Sequence, residues 1–93
     1  MVIGLCCVKL HLPASHSLKD KRQVLRSLIR RLRNRFNVAV SEIDDQDIWQ
    51  SASLGIVSIA ATSQVLESCF AALEHFIESN YPVEIISFSR EVL

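Results

Sequence analysis

Apolar residues recur along this chain in two rhythms, and the switches between them divide it into six elements. Residues 2–12 alternate: Gly4, Cys6, Val8, Leu10 and Leu12 make one face, and Ile3, Leu5, Cys7, Lys9 and His11 the other. A period of two is a strand, and both faces start apolar, so this one predicts a central position. After a loop at Pro13–His16, Leu25, Leu28, Ile29, Leu32 and Phe36 step by three and four, with Val24 at the margin. That spacing predicts a helix over Ser17–Phe36. Ser17 and Asp20 form an S-x-x-D capping box at its start.

Residues 37–43 (NVAVSEI) read as a second strand and 52–61 (ASLGIVSIAA) as a third. The Asp-rich turn between them makes the pair a hairpin. Thr62-Ser63 caps a second helix, with Val65, Leu66, Cys69, Phe70, Leu73, Phe76 and Ile77 on its apolar stripe. Asn80, in a left-handed cap, and Pro82 stop it. Residues 83–89 (VEIISFS) close the series as an edge strand that opens next to a proline. The order β-α-β-β-α-β is the split plan of the ferredoxin-like fold. The expected architecture is α+β: one domain over 1–93, a four-stranded antiparallel sheet with two helices on one face and the other face open.

Charge changes this picture more than composition does. Formal net charge is zero, yet the first helix holds eight of the ten Lys and Arg residues, opposed only by Asp20. The helix therefore carries +7, and the remainder, with Lys9 and Arg90 against nine carboxylates, carries −7. Lys19, Arg22, Arg26, Arg30 and Arg33 fall on one band, about 80° wide, beside the apolar stripe. Lys21 sits on the apolar side and is expected to snorkel. Arg22, Arg26 and Arg30 repel at i,i+4 with no acid interleaved. The band is either a solubilising face with cross-helix salt bridges or an anion-binding face of the kind that recognises nucleic acid. Glu67, Glu74 and Glu78 on the second helix are the partners that would neutralise it.

The chemical candidates are sparse. Glu42, Asp44, Asp45 and Asp47 are oxygen ligands of the type Mg²⁺ takes, but Asp-rich hairpin turns form for backbone reasons, so no metal and no cofactor is expected. His11 and His16 bracket the first loop without a nucleophile, and no catalytic residue is assigned. Acylphosphatase chemistry on this fold wants Gly and Arg in a loop that here reads Leu-Pro-Ala-Ser-His-Ser. The three cysteines are expected to be buried, reduced thiols. Trp49 is expected to anchor the hairpin in the core. The N-terminus lacks a basic leader region and a cleavage site, and no apolar run is long enough to span a membrane. A cytoplasmic location and no membrane contact are expected.

The stretch SLKDKRQVLRSLIRRLRNRFNVAVSEIDDQDIWQSASLGI resembles the signature of the YlxP family, a bacterial domain of unknown function. The pattern S-L-K-x-K-R, R-x-R-F-N-V-x-V-x-E-x-D, Q-D-x-W-Q and L-G is met at Ser17, Leu18, Lys19, Lys21, Arg22, Arg33, Arg35, Phe36, Asn37, Val38, Val40, Glu42, Asp44, Gln46, Asp47, Trp49, Gln50, Leu54 and Gly55. Asp45 departs from it, standing where the pattern has an aromatic or His. The resemblance implies a ferredoxin-like fold, a gene setting near translation and ribosome-maturation factors, and no established enzyme activity. The central strands carry no aromatic residues, so stacking of bases on the open sheet is not expected. The function expected is non-enzymatic binding of structured RNA, linked to the ribosome, with Lys19, Arg22, Arg26, Arg30 and Arg33 on phosphates. The alternative is a homo-oligomeric interaction module that pairs through the apolar open sheet, around Ile3, Leu5 and Cys7.

Overall fold

Alternation along the first strand decides which face of the sheet is covered. In the computed structural model, which describes Met1–Leu93, Gly4, Cys6, Val8, Leu10 and Leu12 are all buried beneath the helices. The elements run β1 (Val2–His11), α1 (Leu18–Arg35), β2 (Val38–Asp44), β3 (Ser51–Ala60), α2 (Ser63–Asn80) and β4 (Glu84–Val92). The sheet order is β2-β3-β1-β4, and every neighbouring pair is antiparallel. β1 and β3 pair in unbroken register from Val2↔Ala60 to His11↔Ser51. The outer pairings each slip once, at Lys9/Leu10 against β4 and at Glu42/Asp44 against β3. The plan is ferredoxin-like, as the spacing of elements predicts.

The core lies between the sheet and two helical stripes. Leu25, Leu28 and Leu32 of α1 and Leu66, Phe70, Leu73, Phe76 and Ile77 of α2 cover Cys6, Val8, Leu10, Val40, Ala52, Leu54 and Ile56. α2 approaches β1 closely at Gly4, where a Cβ would meet Leu66 Cδ2 at 2.6 Å. Any larger residue there forces the Leu66 and Phe70 side chains to shift. Burial pushes the Cys6 thiol up to about 12, with Arg90 pulling weakly the other way. The thiol is therefore held neutral at physiological pH.

Several local expectations change. Ser17 caps α1 through Asp20 N–H at 3.1 Å, but the Asp20 carboxylate accepts from His16 N–H rather than from Ser17. α2 ends without a left-handed residue: Asn80 stays helical and donates its side-chain N–H to Phe76 O at 2.9 Å. Val65 is exposed at the first turn of α2, outside the stripe. β4 runs on to Val92, past the predicted end at Ser89, since its polar outer half pairs with β1 as an edge. Cys7 is exposed and Cys69 half-buried, so only Cys6 is a core thiol.

Candidate nucleic-acid interface

The basic helix is seated through its one inward-facing cation. Lys21 does not snorkel; it is 1% exposed. Its ammonium donates to the carbonyl oxygens of Asp45, Ile48 (2.8 Å) and, more weakly, Gln46 (3.4 Å), and lies 2.9 Å from Glu42 Oε2. Glu42 Oε2 has no other polar partner. An isolated buried ammonium would be prohibitively costly; here three N–H groups meet three carbonyls and a carboxylate. The β2–β3 turn is thus wrapped around a cation that the first turn of α1 supplies. Asp45, in the left-handed region at φ 63°, accepts from Ser51 and Ser53 hydroxyls and lies 4.0 Å from Lys9. The acidic turn is occupied by the protein's own donors: Glu42 faces Lys21 and Asp45 faces two serines, so these two carboxylates are not gathered for a metal.

From that anchor the remaining cations of α1 sort into two groups. Arg31 and Arg35 turn toward α2, where their guanidinium carbons lie 5.0 Å from the Phe76 ring centroid. Arg31 also donates to the Tyr81 hydroxyl. Arg22, Arg26, Arg30 and Arg33 turn the other way, toward the edge strand β2. With Leu25, Ile29, Asn34, Val40, Ser41 and Glu42 they line an open groove of about 520 Å³. Arg33 donates to Val40 O at 2.6 Å, which covers part of the exposed sheet edge. Lys19 is exposed one turn before Arg22 and lies outside the groove.

The groove's charge is not cancelled from within. The ion pairs of the chain are Lys9–Asp45, Lys21–Glu42, Arg90–Glu67 and Arg90–Glu74. Arg90 of β4 takes Glu67 and Glu74, two of the three acids of α2 that the sequence offered to α1, and Glu78 pairs with no cation. Burial lowers the Arg90 guanidinium, but its hydrogen bonds to Glu67 and Glu74 outweigh that and raise it. Of the five residues expected on phosphates, Lys19, Arg22, Arg26, Arg30 and Arg33, the last four share the groove and none of the five touches a carboxylate.

One feature escapes the sequence pattern. Trp49 is not a core anchor: it is 52% exposed, beside Ile48 at 51%, at the tip of the hairpin. Gln50 turns back instead, donating to Pro13 O and Ser15 O, while its own carbonyl takes Leu12 N–H. That ties the hairpin to the β1–α1 loop and leaves the indole outside. The open sheet face is apolar, as the alternation predicts. Val57, Ile59 and Ile43 are exposed large apolar residues, with Ile3 and Leu5 half-buried alongside. No aromatic side chain stands on β1 or β3.

Comparison with known proteins fits this architecture. The family model "Protein of unknown function (DUF503)" matches residues 3–90, and the chain belongs to that family. It is 40% identical over 68 residues to the uncharacterized protein YlxP of Bacillus subtilis, covering 73% of this chain and 74% of that one. Among solved structures it is similar to a dimeric ferredoxin-like protein from an uncultured marine organism. That match has a TM-score of 0.57 and 8% identity, covering all of this chain and 96% of that one. It is also similar to a de novo designed protein with a ferredoxin fold, at a TM-score of 0.50 and 14% identity, covering 99% of this chain and 85% of that one. Both structural likenesses concern the fold alone.

Proposed function

We propose that this member of the DUF503 family is a non-enzymatic, cytoplasmic RNA-binding protein of the translation machinery, which holds RNA in the groove between α1 and β2. The observation that carries this reading is the set Arg22, Arg26, Arg30 and Arg33, four guanidinium groups in one groove without a carboxylate partner. Repulsion within that row costs the helix a few tenths of a kcal/mol per i,i+4 pair. A row kept at that cost has an anion as its natural complement. The row extends about 17 Å along the helix axis, long enough for several phosphates in succession. Arginine suits them because its planar fork donates two N–H groups at once. The family resemblance, with its setting near translation factors, favours RNA among polyanions. Contacts of this type position a backbone and carry little sequence information.

Ultraviolet crosslinking in cells, followed by peptide mapping, tests the assignment. Crosslinked nucleotides are expected on peptides covering residues 22–41. Crosslinks confined to other surfaces, or none after stringent washing, would remove the groove as the interface.

A second reading rests on a different surface. Val57, Ile59 and Ile43, exposed on the open sheet face, form an apolar patch of the sort that marks an interface. Two copies packed through it would present two basic grooves outward. Sedimentation at micromolar concentration should then give a dimer that Val57→Asp converts to monomer. A wild-type monomer at that concentration removes this reading and leaves the first intact.

A further inference from the structure

Ile48 and Trp49 stand exposed on a hairpin tip whose backbone is tied down, a combination that solubility alone does not produce. Half of the Trp49 surface faces solvent, and it is the chain's one tryptophan. Its backbone is not free to move away. Lys21 fixes the carbonyl of Ile48 at 2.8 Å, one peptide before the indole, and those of Asp45 and Gln46 behind it. Gln50, one residue after, is pinned to Pro13 and Ser15. The chain is therefore held on both sides of Trp49 while the indole stays open.

The turn that carries it adjoins the groove through Lys21 and Glu42. Lys21 precedes Arg22, where the row of guanidinium groups starts, and Glu42 both lines the groove and contacts Lys21. The cationic track thus ends at the turn that displays the tryptophan. A charged track with an aromatic face at its end matches single-stranded nucleic acid, in which the backbone follows the cations and an unstacked base lies on the ring. A duplex keeps its base faces covered and offers nothing to such a ring. Resting on the reading of the groove as an RNA site, we propose that the RNA is held as a single strand, with phosphates along Arg22–Arg33 and one unpaired base stacked on Trp49.

The acids beside the tip fit this division. Asp44 and Asp47 are exposed and have no cation partner. They repel phosphate, which keeps the backbone in the groove and lets only a base approach the indole. A carboxylate also accepts hydrogen bonds from an exocyclic base amino group, so Asp47, two residues from the ring, favours bases that carry one.

The test titrates the full chain with a short single-stranded RNA and with a duplex of equal length, following indole emission and the anisotropy of labelled RNA together. Single-stranded RNA should quench the indole as it binds, and duplex should not. Trp49→Ala should weaken single-strand binding about tenfold while leaving its salt dependence unchanged, and Trp49→Phe should recover most of that loss. Single-strand binding with normal salt dependence, unchanged emission and full affinity in Trp49→Ala would overturn the stacked base yet leave the groove standing. A protein partner at the tip would give that same result. Absence of binding to either RNA at low salt would overturn the groove reading and this inference with it.

Discussion

Lys21→Met is expected to lower the stability of the domain by about 3 kcal/mol, the low end for breaking a buried charge pair. Methionine keeps the length and apolar character of the stem, so the core packing around it survives. What disappears is the ammonium at the centre of the β2–β3 turn. Glu42 Oε2 then has no partner, and the carbonyls of Gln46 and Ile48 lose theirs, while that of Asp45 keeps only Ile48 N–H. The Glu42 side chain is 23% exposed and can recover some solvation, which holds the cost at that end. The stranded carbonyls each contribute about 1 kcal/mol. In a domain of this size the loss corresponds to a fall in Tm on the order of 15 °C, readable by thermal or urea denaturation. Glu42→Gln alone should cost far less, because the carbonyl cage around Lys21 stays filled. Equal and small effects of the two substitutions would show that the turn holds itself and that Lys21 is incidental.

The second large effect concerns binding. Arg22→Glu combined with Arg26→Glu is expected to weaken RNA binding by well over tenfold, since the groove changes from four guanidinium groups to two opposed by two carboxylates. Both positions are exposed and neither makes an ion pair or side-chain hydrogen bond within the chain. Stability should not fall. The repulsive Arg26–Arg30 pair is replaced by Glu at 26 four residues before Arg30, the favourable order for such a pair, while positions 22 and 26 remain like-charged. A rise of a few tenths of a kcal/mol is the expected direction. Affinity and stability thus move in opposite directions, a combination that partial unfolding cannot imitate. Unchanged affinity in a folded double variant would defeat the groove.

Much of the architecture was legible because its causes are local. The alternation in β1, the three-and-four spacing in α1 and the Ser17 N-cap each act within a few residues, and they reappear where the pattern puts them. The misreadings share the opposite cause. Lys21 looked like a snorkelling residue because its partners lie 24 to 27 positions away in the chain, beyond any helical repeat. Trp49 looked like a core anchor because size and apolarity argue for burial, whereas the clamp on its backbone decides that it stays out. The acids of α2 looked like partners for α1 because both helices cover the same face of the sheet. The pairing of Glu67 and Glu74 with Arg90 depends on the β1–β4 register, which sets Arg90 opposite Cys6 on the helix side. Of the candidate site, the charged row could be read from the sequence, and the groove that gathers it could not. A groove is made by β2, and the edge position of β2 is a property of the whole sheet.

The salt dependence of RNA affinity tests the central claim most directly. Four neutralised phosphates predict that log Kd rises with log salt at a slope of about 3 to 4, and the double variant at Arg22 and Arg26 should lose about half of that slope. An affinity indifferent to salt, or no affinity at low ionic strength, would contradict a groove built to hold a phosphate backbone.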